Sequence, residues 1–180
     1  MWLNGYSMKE IVWVIGSSSS GKSTFMRRIM EDKALAAAFG WQGKTVAVCQ
    51  RSLDFPGDLG LPEIVAQRHH ILDDSIGLLK TADVVLIKWQ YVDSSCELPQ
   101  KLRAALPGVR HRIILLYTND TELIRRLRAK DWWLNLGFGS AEELLGYEKQ
   151  MVPKFRRELK DFAVLRVNAS NQTYRILDSH

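Results

Sequence analysis

The sequence predicts an α/β protein, a three-layer α/β/α sandwich with helices on both faces of a five-stranded parallel sheet. Three observations lead there. Five short apolar runs alternate with helical patterns along the chain. The runs are apolar throughout rather than at every second residue, the mark of strands covered on both faces. A glycine-bounded turn joins the first run to the first helical stretch, the layout of a βαβ unit.

The elements follow in order. "EIVWVI" (10–15) reads as the first strand, rich in β-formers. "STFMRRIMEDKALAAAF" (23–39) reads as one helix, with Phe25, Met26, Ile29 and Met30 on its apolar face. "KTVAVCQ" (44–50) is the second strand, and a turn-rich loop runs from Asp54 to Pro62. Residues 63–80 carry a helical pattern with Ile64, Ile71, Leu72 and Leu79 as core positions. "DVVLIKW" (83–89) is the third strand, a short helix is expected around 98–106, and "HRIILLY" (111–117) is the fourth strand. A helix starts after Thr118 or Asp120, and "NLGFGS" (135–140) is a glycine-bearing loop. A long helix starts at a Ser140 cap with Glu143 three residues on, a capping-box spacing, and Pro153 is expected to kink or divide it. "FAVLRVN" (162–168) is the fifth strand, and "QTYRIL" is expected to close the chain as a short helix.

The bulk composition is that of one folded domain over 1–180: 180 residues, 46% hydrophobic and 25% charged. No apolar run approaches the roughly 18 residues a membrane span needs. The run Ile11–Ile15 is too short for a signal peptide, so the chain is expected to be cytoplasmic. Two cysteines, Cys49 and Cys96, form no metal-binding spacing, and Cys49 reads as a small buried hydrophobe. The net charge of +5 suits phosphate-bearing ligands, either a nucleotide or a nucleic acid.

In a parallel sheet, ligands bind beyond the carboxyl ends of the strands. Gly16-Ser17-Ser18-Ser19-Ser20-Gly21-Lys22-Ser23 stands just there and fits G-x-x-x-x-G-K-[ST] at every fixed position. The glycines let the backbone curl so that its N–H groups cradle phosphates, and the next helix adds its positive end. Lys22 is expected to reach the β- and γ-phosphates, and the Ser23 hydroxyl to ligate Mg²⁺. Residues 16–24, Thr24 included, are the expected contacts for ATP. A serine linker would not lie between an Ile/Val strand and an amphipathic helix.

On this motif the chain resembles the P-loop NTPase superfamily, and its size and five-strand plan resemble the nucleotide and small-molecule kinase branch. That resemblance implies strand order 2-3-1-4-5, ATP with Mg²⁺, and phosphoryl transfer to a hydroxyl. No N-K-x-D motif marks a GTPase. Lys88 stands where an acidic Walker B residue would be expected, with Asp93 as a substitute through water.

A kinase further needs an acceptor base, cations around the phosphoryl and a means of excluding water. Related kinases place an aspartate after the second strand, so Asp54 is the candidate base, Asp58 its reserve, and Arg51 a positioner of the acceptor. Arginines after the fourth strand form a lid over the phosphates in nucleotide kinases. Arg125 and Arg128, sharing one helix face, are the candidates here, and residues 125–140 the mobile lid with Gly137 and Gly139 as hinges. Backbone from Asn168 to Ser170 lies where adenine is often held. Trp132 and Trp133 are adjacent, so one is expected in the core and the other against a base.

"LIKWQYVDSS" and "VNASNQTYRIL" are also similar to phage-type 5-hydroxymethyluracil DNA kinases. That likeness implies a phage-encoded enzyme acting in the host cytoplasm on the hydroxymethyl group of a modified pyrimidine in DNA. Lys88 and Gln90 would then lie near the acceptor, and a flipped base would stack on Trp132 or Trp133. The scattered cations Lys101, Arg103, Arg110, Arg112, Lys154, Arg156 and Arg157 would serve the polymer. The alternatives are a kinase of a free nucleotide, nucleoside or metabolite, and a nucleotide-binding regulator that transfers nothing.

Overall fold

Strand β1 (Glu10–Gly16) is the middle of the molecule, and Ile11–Ile15 are all fully buried. A computed structural model of the chain describes residues 8–53, 61–90, 97–170 and 173–179. They form a six-stranded sheet in the order β2-β3-β1-β4-β5-β6, with β2 Val46–Val48, β3 Val84–Gln90, β4 Arg110–Tyr117, β5 Ala163–Asn168 and β6 Arg175–Ser179. The first five are parallel in the expected sequence. The expected count of five is corrected by β6, which pairs antiparallel on the β5 edge. Residues 175–177 of "QTYRIL", expected in a short helix, are therefore strand. The segment is too short to show a helical period, and pairing with β5 decides its state.

Alternation along β1 divides the core. Ile11, Trp13 and Ile15 pack on one face with Ile71, Leu102 and Phe155, from helices α4 (Leu61–Leu78), α5 (Glu97–Ala105) and α7 (Ala141–Glu158). Val12 and Val14 pack on the other with Phe25, Met26 and Ile29 of α1 (Lys22–Glu31) and Ala36 of α2 (Lys33–Ala38). The single helix expected over 23–39 is thus two. Asp32 leaves helical geometry and its carboxylate accepts from the Leu35 amide, capping α2. Met30, expected on the apolar face, is 49% exposed. Strand β2 is shorter than expected because α3 (Gln50–Leu53) begins directly after Cys49, which is buried as anticipated.

Asn119, rather than Thr118 or Asp120, caps α6 (Asp120–Arg128), accepting from the Glu122 amide. Residues Asp131–Leu136 form a 3₁₀ turn. Ser140 caps α7 by accepting from Glu143 N, and the Glu143 carboxylate reaches back to the Gly139 amide. Helix α7 runs unbroken through Pro153, so the expected division does not occur. At the amino edge of the sheet, Glu10 is buried; it forms an ion pair with Arg112 at 2.9 Å and accepts hydrogen bonds from Arg112 Nη2 at 3.2 Å and the Trp41 indole N–H at 2.8 Å. No helix among the described residues is long and apolar enough to cross a membrane.

Candidate active site

Residues 17–21 turn sharply between β1 and α1 at the carboxyl edge of the sheet. Ser19 at φ 62° and Gly21 at φ 94° hold left-handed backbone, which lets successive amides curl toward one side. Gly16 admits no side chain: a Cβ there would stand 2.7 Å from the Leu116 carbonyl and 2.8 Å from Ser20 Oγ. Ser18, Ser20 and Lys22 are buried, and Ser20 Oγ has no hydrogen-bond partner. A buried hydroxyl without a partner, in a loop that only small residues can form, fits a phosphate ligand.

Lys22 donates from Nζ to the carbonyls of Gly16, at 2.8 Å, and Ser17, at 2.7 Å. Burial pulls its ammonium down to about 7, with Glu148 opposing the shift and Lys88 and Lys130 adding to it. A phosphate beside this nitrogen would restore its charge. Neither Ser23 nor Thr24 is buried.

Two groups after β4 brace the loop. Thr118 Oγ1 donates to the Ser20 carbonyl at 3.2 Å. Arg126 donates from Nη1 to the Ser19 carbonyl at 3.2 Å and from Nε to Glu122 at 2.7 Å. The sequence singles out Arg125 and Arg128 instead. Arg125 lies on Glu122 and Arg128 on Glu142, both with side chains 68% exposed. The arginine brought to the serine loop is therefore their neighbour. Its signal was there: one residue along a helix turns the side chain about 100°, and Arg126 lies four residues after Glu122. Hydrogen bonds from Arg125, then Arg126, hold the Glu122 carboxyl down to about 2.

The remaining sequence candidates divide. Lys88 is buried at the end of β3, its Nζ donating to the Leu53 carbonyl at 2.8 Å and its amide to Ser52 Oγ at 3.0 Å. It thereby ties β3 to the segment that leads to Asp54. Arg51 pairs with Asp74 of α4 at 2.8 Å. Trp133 is 9% exposed, donates to the Leu127 carbonyl at 3.0 Å, and packs with Leu127, Ala141 and Leu144. Of the two adjacent tryptophans, Trp133 packs into the core of the 125–140 region. The amides of Ala169 and Ser170 are engaged by the Tyr117 carbonyl and Asn168 Oδ1, which leaves neither to an adenine. Asp54, Asp58, Asp93 and Cys96 lie outside the described residues, as do the side chains of Gln90 and Trp132. No cluster of three metal-ligating side chains occurs among the described residues.

One residue at the site escaped sequence reasoning. Glu148 of α7 is fully buried against the loop, accepting from the Ser18 amide at 2.9 and 3.0 Å and from the Ser18 hydroxyl. Burial pushes its carboxyl up, against the pull of Ser18 and Lys22. Its signal was positional: it lies four residues after Leu144 and three after Leu145, an acid on the apolar stripe of α7.

A cavity of about 380 Å³ lies between α7 and strands β4 and β5. Its apolar wall includes Ile15, directly before the loop, and Phe155. Arg156, Lys160 and Arg166 supply its cations.

No protein-family model matches the chain, and no curated protein does. Solved structures do. A structure of the PezAT chromosomal toxin–antitoxin system of Streptococcus pneumoniae matches with TM-score 0.58 at 13% identity, over 98% of this chain and 75% of the other. Shikimate kinase from Bacteroides thetaiotaomicron matches with TM-score 0.51 at 15% identity, over 90% and 86%. A gluconokinase from Sinorhizobium meliloti matches with TM-score 0.50 at 18% identity, over 91% and 83%. The chain has a P-loop kinase-like fold.

Proposed function

We propose that the protein is an ATP-dependent phosphotransferase whose acceptor is a hydroxyl of a free small molecule. The observation that carries the reading is Lys22. It is a buried ammonium resting on two carbonyls of a left-handed serine loop at the carboxyl edge of a parallel sheet. The fold shared with gluconokinase and shikimate kinase supports a kinase.

In this reading the loop amides, Ser20 Oγ and Lys22 hold the β- and γ-phosphates, and the Ser23 hydroxyl ligates Mg²⁺. ATP supplies the phosphoryl group, and Mg²⁺ neutralises charge on it. Arg126, which reaches the loop at the Ser19 carbonyl, would add a planar cation at the outer phosphates, and Arg125 and Arg128 would join it only by leaving Glu122 and Glu142. Asp54 remains the proposed base for the acceptor hydroxyl, Arg51 and Lys88 frame the loop that carries it, and closure of residues 125–140 excludes water.

The modified base in DNA stands as the less favoured acceptor. Trp133 is withdrawn into packing, and the cations that would serve a polymer do not gather at the loop. Arg110 and Arg112 lie at the start of β4, in register with Glu10 and Val12, toward the opposite end of β1 from Gly16. Lys101 pairs with Glu97, and the Arg103 guanidinium covers Phe162.

The test is transfer of label from γ-labelled ATP with Mg²⁺. Plain DNA, hydroxymethylpyrimidine DNA, free nucleosides and a pool of hydroxylated metabolites are offered separately. Label on a free small molecule supports the reading, label only on modified DNA replaces its acceptor, and no transfer to any acceptor contradicts phosphotransfer.

A further inference from the structure

An acid buried against a phosphate cradle calls for an explanation. Glu148 lies on the face of α7 that buries Ala141, Leu144, Leu145 and Phe155, where an apolar residue would be the ordinary choice. Its two oxygens take the Ser18 amide, and one also takes the Ser18 hydroxyl. This is how an anion sits on a backbone loop built for anions. Across the loop, Lys22 is held on the Gly16 and Ser17 carbonyls. A phosphate arriving beside Lys22 would bring negative charge against a second, buried negative charge.

Resting on the nucleotide reading above, we propose that Glu148 competes with the terminal phosphate of the nucleotide for the Ser18 amide and hydroxyl. It thereby acts as a built-in brake on nucleotide binding. The carboxylate leaves the loop when the phosphate takes its donors. Because Glu148 rides on α7, its departure is felt along that helix. Lys149, the next residue, pairs with Asp120 of α6, and Glu142 at the start of α7 pairs with Arg128. Helix α6 also carries Arg126, the brace on Ser19. Release of Glu148 thus connects triphosphate entry to the two helices that flank residues 129–140.

The test uses the full chain and inorganic tripolyphosphate without magnesium, measured by calorimetry on the wild type, Glu148→Gln and Glu148→Ala. Thermal melts confirm that each variant is folded. Both variants are expected to bind tripolyphosphate roughly 10- to 100-fold more tightly, the scale of a displaced charge-assisted hydrogen bond. Equal or weaker binding by folded variants overturns the competition and makes Glu148 an anchor of α7. A loss that appears only with Mg-ATP overturns it in favour of a metal contact. Should the variants not fold, the carboxyl ¹³C resonance of Glu148 in the wild type decides. A shift to the position of a solvated carboxylate on tripolyphosphate binding supports displacement, and an unmoved signal overturns it. A wild type that binds tripolyphosphate while the variants gain nothing sinks this inference alone. Failure of all three proteins to bind sinks the nucleotide reading as well.

Discussion

Lys22 makes the site's pH behaviour calculable in sign. Burial lowers its ammonium from an ordinary 10.5 to about 7, so above that pH the folded protein holds fewer protons there than the unfolded chain. Stability from this group therefore rises with pH between about 7 and 10.5. Binding runs the other way, because a triphosphate restores the charge. Nucleotide association should take up a proton above pH 7, and affinity should fall by up to about tenfold per pH unit. Calorimetry in buffers of different ionisation heat measures that uptake. Glu148, raised by burial, contributes with the opposite sign when it is displaced; Glu148→Gln removes that contribution and also lets the Lys22 ammonium fall further, because Glu148 opposes its shift. Gly16 gives the second expectation at this scale. Gly16→Ala sets a methyl against the Leu116 carbonyl at 2.7 Å, which is backbone and cannot swing aside. It should cost about 1–3 kcal/mol by denaturant titration and abolish nucleotide binding.

Helices α6 and α7 show how far element-level reading reaches. The apolar spacing that places Leu123 and Leu127 in the core is plain in the sequence, as is the Ser140 cap. Which of four neighbouring cations faces the loop is not, because that depends on the rotation of α6 against α7 and the loop. The periodicity constrains this only to within one residue. Arg126→Ala should lower kcat about 10²- to 10³-fold, as loss of a transition-state cation does, while Arg125→Ala should change it only a few-fold. Steady-state kinetics on the identified acceptor checks the contrast, and equal effects would return the role to the exposed face. Strand β6 was illegible for another reason. Ile176 and Leu177 are 39% and 46% exposed, so burial leaves no alternating mark on the sequence, and only the β5 edge makes the segment a strand.

Across the whole molecule, the parallel strands and the tight serine turn between β1 and α1 were readable because both follow from local pattern, whereas the strand order was implied by the resemblance alone. Glu148 and the Glu10–Arg112–Trp41 cluster were not, since each joins segments far apart in the chain. That cluster ties β1, β4 and the segment after α2 at the end of the sheet away from the loop. Glu10→Ala leaves the Arg112 guanidinium, 13% exposed, without its carboxylate. It should cost about 3–5 kcal/mol of unfolding free energy by denaturant titration while sparing nucleotide contacts in the remaining folded protein. The proposed nucleotide binding stands on the serine loop. Its most direct test is calorimetry of Mg-ATP, with Mg-GTP alongside, on the wild type and Lys22→Ala. We expect one triphosphate per chain on the wild type and a loss of roughly 100-fold or more in the variant, since the variant removes a charge-assisted contact. A folded wild type that gives no heat with either nucleotide, or a Lys22→Ala protein that binds as tightly as the wild type, would contradict it.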